Sequence, residues 1–230
     1  MPHDRKLFIA SPSIGVNPSD FEFFEEQRLH READHSARPL HTQTGNKAAT
    51  RFGLPQYKET PRLKVALKNK PLDFYGFERW ILSSRAKDLL HAMDPAAFDF
   101  RKCETSAPPR HNIDNYWIGK VRRVIEEFDR GASNFEKAGR QWDVGLEEWT
   151  FNHAIRKLNT LVLHPGHEES LAFYILDYSL YPIFDGRLVE AIRGAGLRGL
   201  MFSPLQWPDK GDVRTVYIEN YGYWKDQGAL

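Results

Sequence analysis

An α+β fold, with a mixed sheet and a few packed helices, is predicted by three observations. A strand, a helix cap, an amphipathic helix and a closing strand occur twice along the chain as two similar strand-helix-strand units. The remaining apolar runs are short, of strand length, and bounded by turn residues. The 230 residues are 41% apolar and 13% aromatic, enough to build one core in which folding buries roughly 70% of the surface of the unfolded chain.

Residues 1 to 60 are the least patterned and are read as an N-terminal extension. A short helix is expected from Ser19 through Phe21, Phe23 and Phe24, followed by a long polar surface loop from His35 to Thr50. That run carries too few apolar groups to offset an ordering entropy of about 1–2 kcal/mol per residue. A domain spanning 61 to 207 follows. Leu63, Val65 and Leu67 alternate with charged neighbours as a strand. Trp80-Ile81-Leu82 then leads to Ser83, the expected N-cap, and Ala86, Leu89, Leu90 and Met93 lie on one helical face. Pro95 closes that helix, and Phe98 and Phe100 alternate as the next strand.

The same unit returns near the other end of the domain. Ile183-Phe184 stop at Asp185, Leu188, Ala191, Ile192 and Ala195 form the stripe, and Leu200 and Phe202 supply the closing strand. Ile81 maps to Ile183, Ser83 to Asp185, Arg85 to Arg187, Leu90 to Ile192 and Phe100 to Phe202, a constant step of 102 residues. Between the copies, Tyr116 to Phe128 reads as a strand or a short helix, Gly139 to Gly145 as a turn, and Leu158 to Leu163 and Leu171 to Leu176 as strands. Val213 to Tyr217 suggests an edge strand in an aromatic-rich tail, 208 to 230, packed on the same body.

Thirty-two Lys and Arg balance thirty-one Asp and Glu, so nothing in the overall charge favours phosphate neutralisation, and no nucleic-acid partner is expected. Cys103 is the only cysteine, which excludes an intramolecular disulfide and a cysteine-rich zinc site. Arg5 and Lys6 precede only Leu7-Phe8-Ile9-Ala10, far short of the roughly 7–15 apolar residues of a signal-peptide core, and no run approaches a membrane span. A cytoplasmic protein is expected.

The chemistry-bearing patterns are weak. Gly194-Ala195-Gly196-Leu197-Arg198-Gly199 spells a dinucleotide loop, but a helix precedes it and a strand follows, the reverse of the order that aims helix amides at a pyrophosphate. Gly194 or Gly196 is instead read as a left-handed helix cap. His164, His167, Glu168 and Glu169 cluster around a Pro-Gly turn without the helical spacing of a zinc pair, and His30, His35 and His41 lie in the polar segment. Cys103 lacks a partner motif. No catalytic, metal or cofactor residue is assigned.

The two units and the segment between them resemble a bacterial immunity-protein family found beside polymorphic toxins, the immunity protein eleven type, formerly a domain of unknown function. The resemblance runs from Pro61 to Pro204. It is carried by Trp80 to Arg85 with Leu89-Leu90 and Asp94-Pro95, by Phe98 to Phe100, by Tyr116-Trp117 to Asp129, by Leu161 to Leu163, and most strongly by Ile183-Phe184-Asp185 to Ala191 with Ala195 to Phe202. The family usually has serine where this chain has Asp185, an exchange of one good cap for another. The resemblance implies a non-enzymatic protein that neutralises a cognate cytoplasm-acting toxin, the product of the adjacent gene, by stoichiometric binding. Glu126, Glu127, Glu147, Glu148, Glu168 and Glu169 are the candidates for charge complementary to a basic cleft, and Trp142 and Trp149 the candidate aromatic anchors. An adaptor module of a secretion or phage-related cluster, or a metal-dependent enzyme around His164 and His167, are the alternatives.

Overall fold

A computed structural model describes residues 5–12, 21–23, 32, 53–65, 72–76, 79–106, 115–137, 140–143, 148–151, 155–176 and 178–205. In chain order the elements are β1 (Leu7–Pro12), β2 (Phe21–Phe23), β3 (Arg62–Val65), β4 (Phe74–Tyr75), β5 (Trp80–Leu82), α1 (Ser84–Met93), β6 (Phe98–Lys102), β7 (Glu104–Ser106), β8 (Trp117–Val121) and β9 (Val124–Ile125). They continue as β10 (Asn134–Lys137), β11 (Arg140–Asp143), β12 (Glu148–Phe151), β13 (Ile155–Thr160), β14 (Ala172–Ile175), β15 (Tyr178–Asp185), α2 (Gly186–Gly194) and β16 (Leu200–Pro204). The class is α+β as expected, with strands dominant among the described residues.

Both helices form where cap and stripe place them. The Ser83 hydroxyl accepts from the Ala86 amide at the start of α1, and the Asp185 carboxylate accepts from the Arg187 amide at the start of α2. At the far end of α2, Gly196 takes φ +62, its amide donates to the Arg193 carbonyl, and the Leu197 amide donates to Ile192. This is a Schellman ending, and it absorbs the G-x-G-x-x-G letters. Leu90 and Ile192 occupy equivalent positions on the two stripes and are fully buried, each side chain worth about 1.5–3 kcal/mol.

The two units are a structural repeat, and the repeat is larger than the sequence shows. One sheet has the order β4-β5-β8-β6 and another β16-β1-β15-β14-β9. In each, the strand before the helix and the strand after it are separated by a third strand antiparallel to both. The registers correspond residue by residue: Ile81 faces Ile118 as Ile183 faces Ile9, and Phe100 faces Gly119 as Phe202 faces Ala10. The strand ahead of each unit corresponds too, with Phe74 opposite Leu82 and Ala172 opposite Phe184. The shared middle position must stay small. A Cβ at Gly119 would stand 2.3 Å from Leu82 Cδ1 and 3.3 Å from Phe100 Cδ1.

The two repeats meet through one core. Trp80, Leu82, Ala86, Leu90 and Phe98 of the first interleave with Phe184, Leu188, Val189, Ile192 and Phe202 of the second, and the Phe184 ring lies edge-on to both Trp80 and Phe98. The helices pack on each other, Arg85 donating to the Ala195 carbonyl at 2.6 Å. The opposite faces are covered differently. β2, β3 and β7 form a small sheet whose Phe21, Phe23, Leu63 and Val65 pack with Tyr75, Ile81 and Ile118. Over the second repeat, Phe135, Ile155 and Leu158 of the β10–β13 ribbon join Phe173, Ile175 and Ile183.

Several expectations are corrected. Phe21–Phe23 is a strand paired with β3, not the body of a helix from Ser19, because β3 offers an edge and the aromatic rings of Phe21 pack on Tyr75 and Tyr116. Tyr116 to Phe128 resolves into strands rather than a helix, and the Gly139 to Gly145 span contains β11 instead of a simple turn. The strand expected over Leu158 to Leu163 starts earlier, at Ile155, and ends at Thr160. Leu7-Phe8-Ile9-Ala10, given no role beyond its shortness as a leader, is the middle strand of the second repeat. The polar loop from His35 to Thr50, the edge strand from Val213 to Tyr217 and the tail lie outside the described residues.

Candidate functional site

The carboxylate pairs proposed from sequence do not converge. Glu126 and Glu127 are exposed and follow β9, whose Ile125 pairs with Ile175 at the end of β14. Glu168 and Glu169 are exposed and precede β14, so the two pairs stand at opposite ends of that strand. Glu148 lies in β12 opposite Asp143 of β11, and Trp149 lies opposite Trp142. Glu147 lies outside the described residues.

The ribbon is the distal half of a long hairpin. β10 pairs with β13, and only a few residues separate that pair from β11 and β12, which pair with each other. The register runs from Lys137 opposite Ile155 to Arg140 opposite Phe151, with an irregularity beside Lys137.

The loop that carries Glu168 and Glu169 is stapled down. Arg5 donates from Nε to the Asp185 carboxylate at 2.6 Å, from Nη1 to the His167 carbonyl at 2.7 Å, and from Nη2 to the Ser170 carbonyl. Arg187 donates to the same Asp185 at 2.9 Å and to the Glu168 carbonyl at 2.5 Å. Burial alone would raise the Asp185 carboxyl, but the bonds from Arg187 and Arg5 outweigh it and hold it below the ordinary aspartate value. Arg187 is raised in turn, chiefly by its bond to Asp185. Glu168 is held low by its own amide and that of Gly166, where the chain turns at φ +98.

A second buried ion pair sits at the other helix's exit. Arg123 grips Asp94 through both terminal nitrogens, and the Leu171 amide donates to Asp94 Oδ2 at 2.9 Å, joining the first repeat to the start of β14. Neither cluster was legible in the sequence, because Arg5 and Asp185 are 180 positions apart and Leu171 and Asp94 are 77 apart. The only local signals were the N-cap position of Asp185 and the Asp94-Pro95 helix stop.

The remaining candidates have ordinary surroundings. Cys103 is buried and its thiol is pushed up to about 12 by that burial, while Arg79, half-buried, is lowered by its own desolvation. A thiol so raised is protonated near neutrality, a poor nucleophile. His164 is exposed and His167 half-buried in the stapled loop. Among the described residues, no three His, Cys, Asp or Glu side chains gather to hold a metal ion, and no helix is long and apolar enough to cross a membrane. His30, His35 and His41 lie outside the described residues.

Against known proteins, the profile of an immunity protein family, Imm11, matches residues 18–206. It reaches back past Pro61 to take in β2 and β3, and it leaves β1 outside. No curated protein matches the chain.

Proposed function

Because the chain belongs to the Imm11 family of immunity proteins, we propose that it protects its producer by binding a cognate toxin directly and stoichiometrically, in the cytoplasm, without turning over a substrate. The toxin is the product of the adjacent gene. The family match across residues 18–206 is the observation that carries this reading.

The binding surface proposed is the β11–β12 ribbon, with Trp142 and Trp149 as anchors and Glu147 and Glu148 as the charges that meet a basic cleft. What supports it is the register, which sets Trp142 opposite Trp149 and Asp143 opposite Glu148 on the paired strands. Glu126, Glu127, Glu168 and Glu169, at separate places on the body, serve as secondary contacts.

Co-expression with the neighbouring toxin and purification through a tag on either chain tests the reading. A one-to-one complex and rescue of poisoned cells are expected, with Trp149→Ala and Glu148→Lys weakening the complex at least tenfold while leaving the thermal transition of the free protein in place. A protein that neither binds the toxin nor rescues cells sinks the proposal. Intact binding in both variants moves the interface off the ribbon.

A further inference from the structure

The geometry points to the slot between β15 and β16 as a binding site for an extended peptide segment, filled in this chain by its own residues 5–12. The reading is independent of toxin binding. Three observations carry it.

The repeat shows that the slot is a unit of its own. In the first repeat the equivalent gap, between β5 and β6, is filled by β8, which follows β6 and β7 in the chain and continues into β9. In the second repeat the filler comes from elsewhere in the chain, 180 positions away at the Arg5–Asp185 contact. The stretch that matches the family, residues 18–206, contains both walls of the slot and not the strand that fills it.

Recognition of the segment is also self-contained. Leu7 to Ile9 pair with β15 and Phe8 to Pro12 pair with β16. The Lys6 carbonyl accepts from the Gly186 amide at 2.8 Å, and the Leu7 carbonyl accepts from Leu205 at 2.8 Å. Leu7 and Ala10 are buried, and Arg5 holds Asp185 and the carbonyls of His167 and Ser170. Every hydrogen-bonding and strand partner lies between residues 167 and 205, and Leu7 and Ala10 enter core clusters formed by the body of the chain. The same eight residues supplied by a separate molecule would therefore make the same contacts, which is β-strand addition with both edges used. The ligand class follows: an extended peptide with a leading arginine, a buried apolar residue two positions on, and a small residue five positions after the arginine.

A protease site placed within residues 13–20 of the full chain provides the test. The nicked protein is unfolded in urea and refolded by dilution with an excess of fluorescent peptide spanning residues 5–12. Saturable incorporation of one peptide per chain is expected, together with recovery of the native thermal transition. The Arg5→Ala peptide should bind about tenfold or more weakly, since it lacks the charge-assisted bonds, and the Ala10→Trp peptide should not bind because its position is closed. Placing the changes in the peptide leaves the protein itself unaltered. Failure of the nicked chain to refold with peptide, refolding without uptake, or equal uptake of the Ala10→Trp peptide overturns the proposal.

Discussion

The two repeats end their helices with opposite devices. At the start of the helix, the first uses neutral Ser83 and the second buried Asp185 held by Arg5 and Arg187. At the exit the roles reverse: the first uses buried Asp94 held by Arg123, while the equivalent position in the second is Gly196 in its left-handed turn. The Ser83 hydroxyl in turn donates to the buried Asp73 carboxylate at 2.6 Å, whose other oxygen accepts from the Arg198 amide, so of the four endings only the glycine one is wholly local. The charged endings join distant pieces of chain directly, Asp185 receiving the strand from residues 5–12 and Asp94 receiving the amide of Leu171. A hydroxyl can finish a helix and pass on one bond, as Ser83 does to Asp73, whereas a carboxylate can finish it and accept several donors from distant segments at once.

The largest expected effect follows from that division. Asp94→Ala and Asp185→Ala should each cost about 3–5 kcal/mol in urea unfolding, because each takes the carboxylate away from a partly buried arginine. Ser83→Ala should cost about 1–3 kcal/mol, the loss of a cap together with a donor to buried Asp73. Equal losses at Ser83 and Asp185 would abolish the distinction. Acid sharpens it. Asp185 has its carboxyl lowered in the fold, so its stabilisation is complete above the unfolded aspartate value near 3.9 and is lost as pH falls through the folded value below that. The acid limb of a stability profile should accordingly flatten below about pH 4 in Asp185→Asn, relative to the unchanged chain.

The middle strands supply a smaller contrast. Gly119→Ala pushes a Cβ to within 2.3 Å of Leu82 Cδ1, and because Leu82 is fully buried the displaced methyl has nowhere to go without shifting the core. A loss of about 1–3 kcal/mol is expected. Ala10→Gly, its counterpart, should lose only about 0.5–1 kcal/mol, through strand entropy. Differential scanning calorimetry of the two variants would separate them, and a tolerated Gly119→Ala would show that the first repeat is the looser of the two.

What could be read in the sequence was what the chain encodes within a dozen residues. Ser83 with its stripe and Asp185 with its stripe are contiguous, so both helices and the constant step between them were visible. The place of the third strand in each repeat was not, because Gly119 and Ala10 acquire their meaning only from Phe100 and Phe202 across the sheet. Leu7-Phe8-Ile9-Ala10 did carry a signal, a short apolar run after two basic residues, but its partners lie in β15 and β16 and no local pattern names them. The β2 error has the same origin: Phe21 and Phe23 are strand residues because β3 lies beside them. The acid pairs are neighbours in sequence only within each pair, and the Glu126/Glu127 and Glu168/Glu169 pairs stand at opposite ends of β14.

The left-handed ending of the second helix offers a further contrast. Gly196 sits at φ +62 with open space where a Cβ would be, so Gly196→Ala meets only the cost of a left-handed alanine, about 1–2 kcal/mol. Gly199 is three residues on, at φ +116, where a Cβ would lie 2.1 Å from the Phe74 carbonyl oxygen. That contact is backbone, and the Arg198 carbonyl beside it accepts from the amides of Asp73 and Phe74, so nothing can yield without breaking the junction between the repeats. Gly199→Ala should therefore cost more than Gly196→Ala in the same urea titration. If the two losses were equal, the Arg198 junction would be slack, and the shared core alone would hold the repeats together.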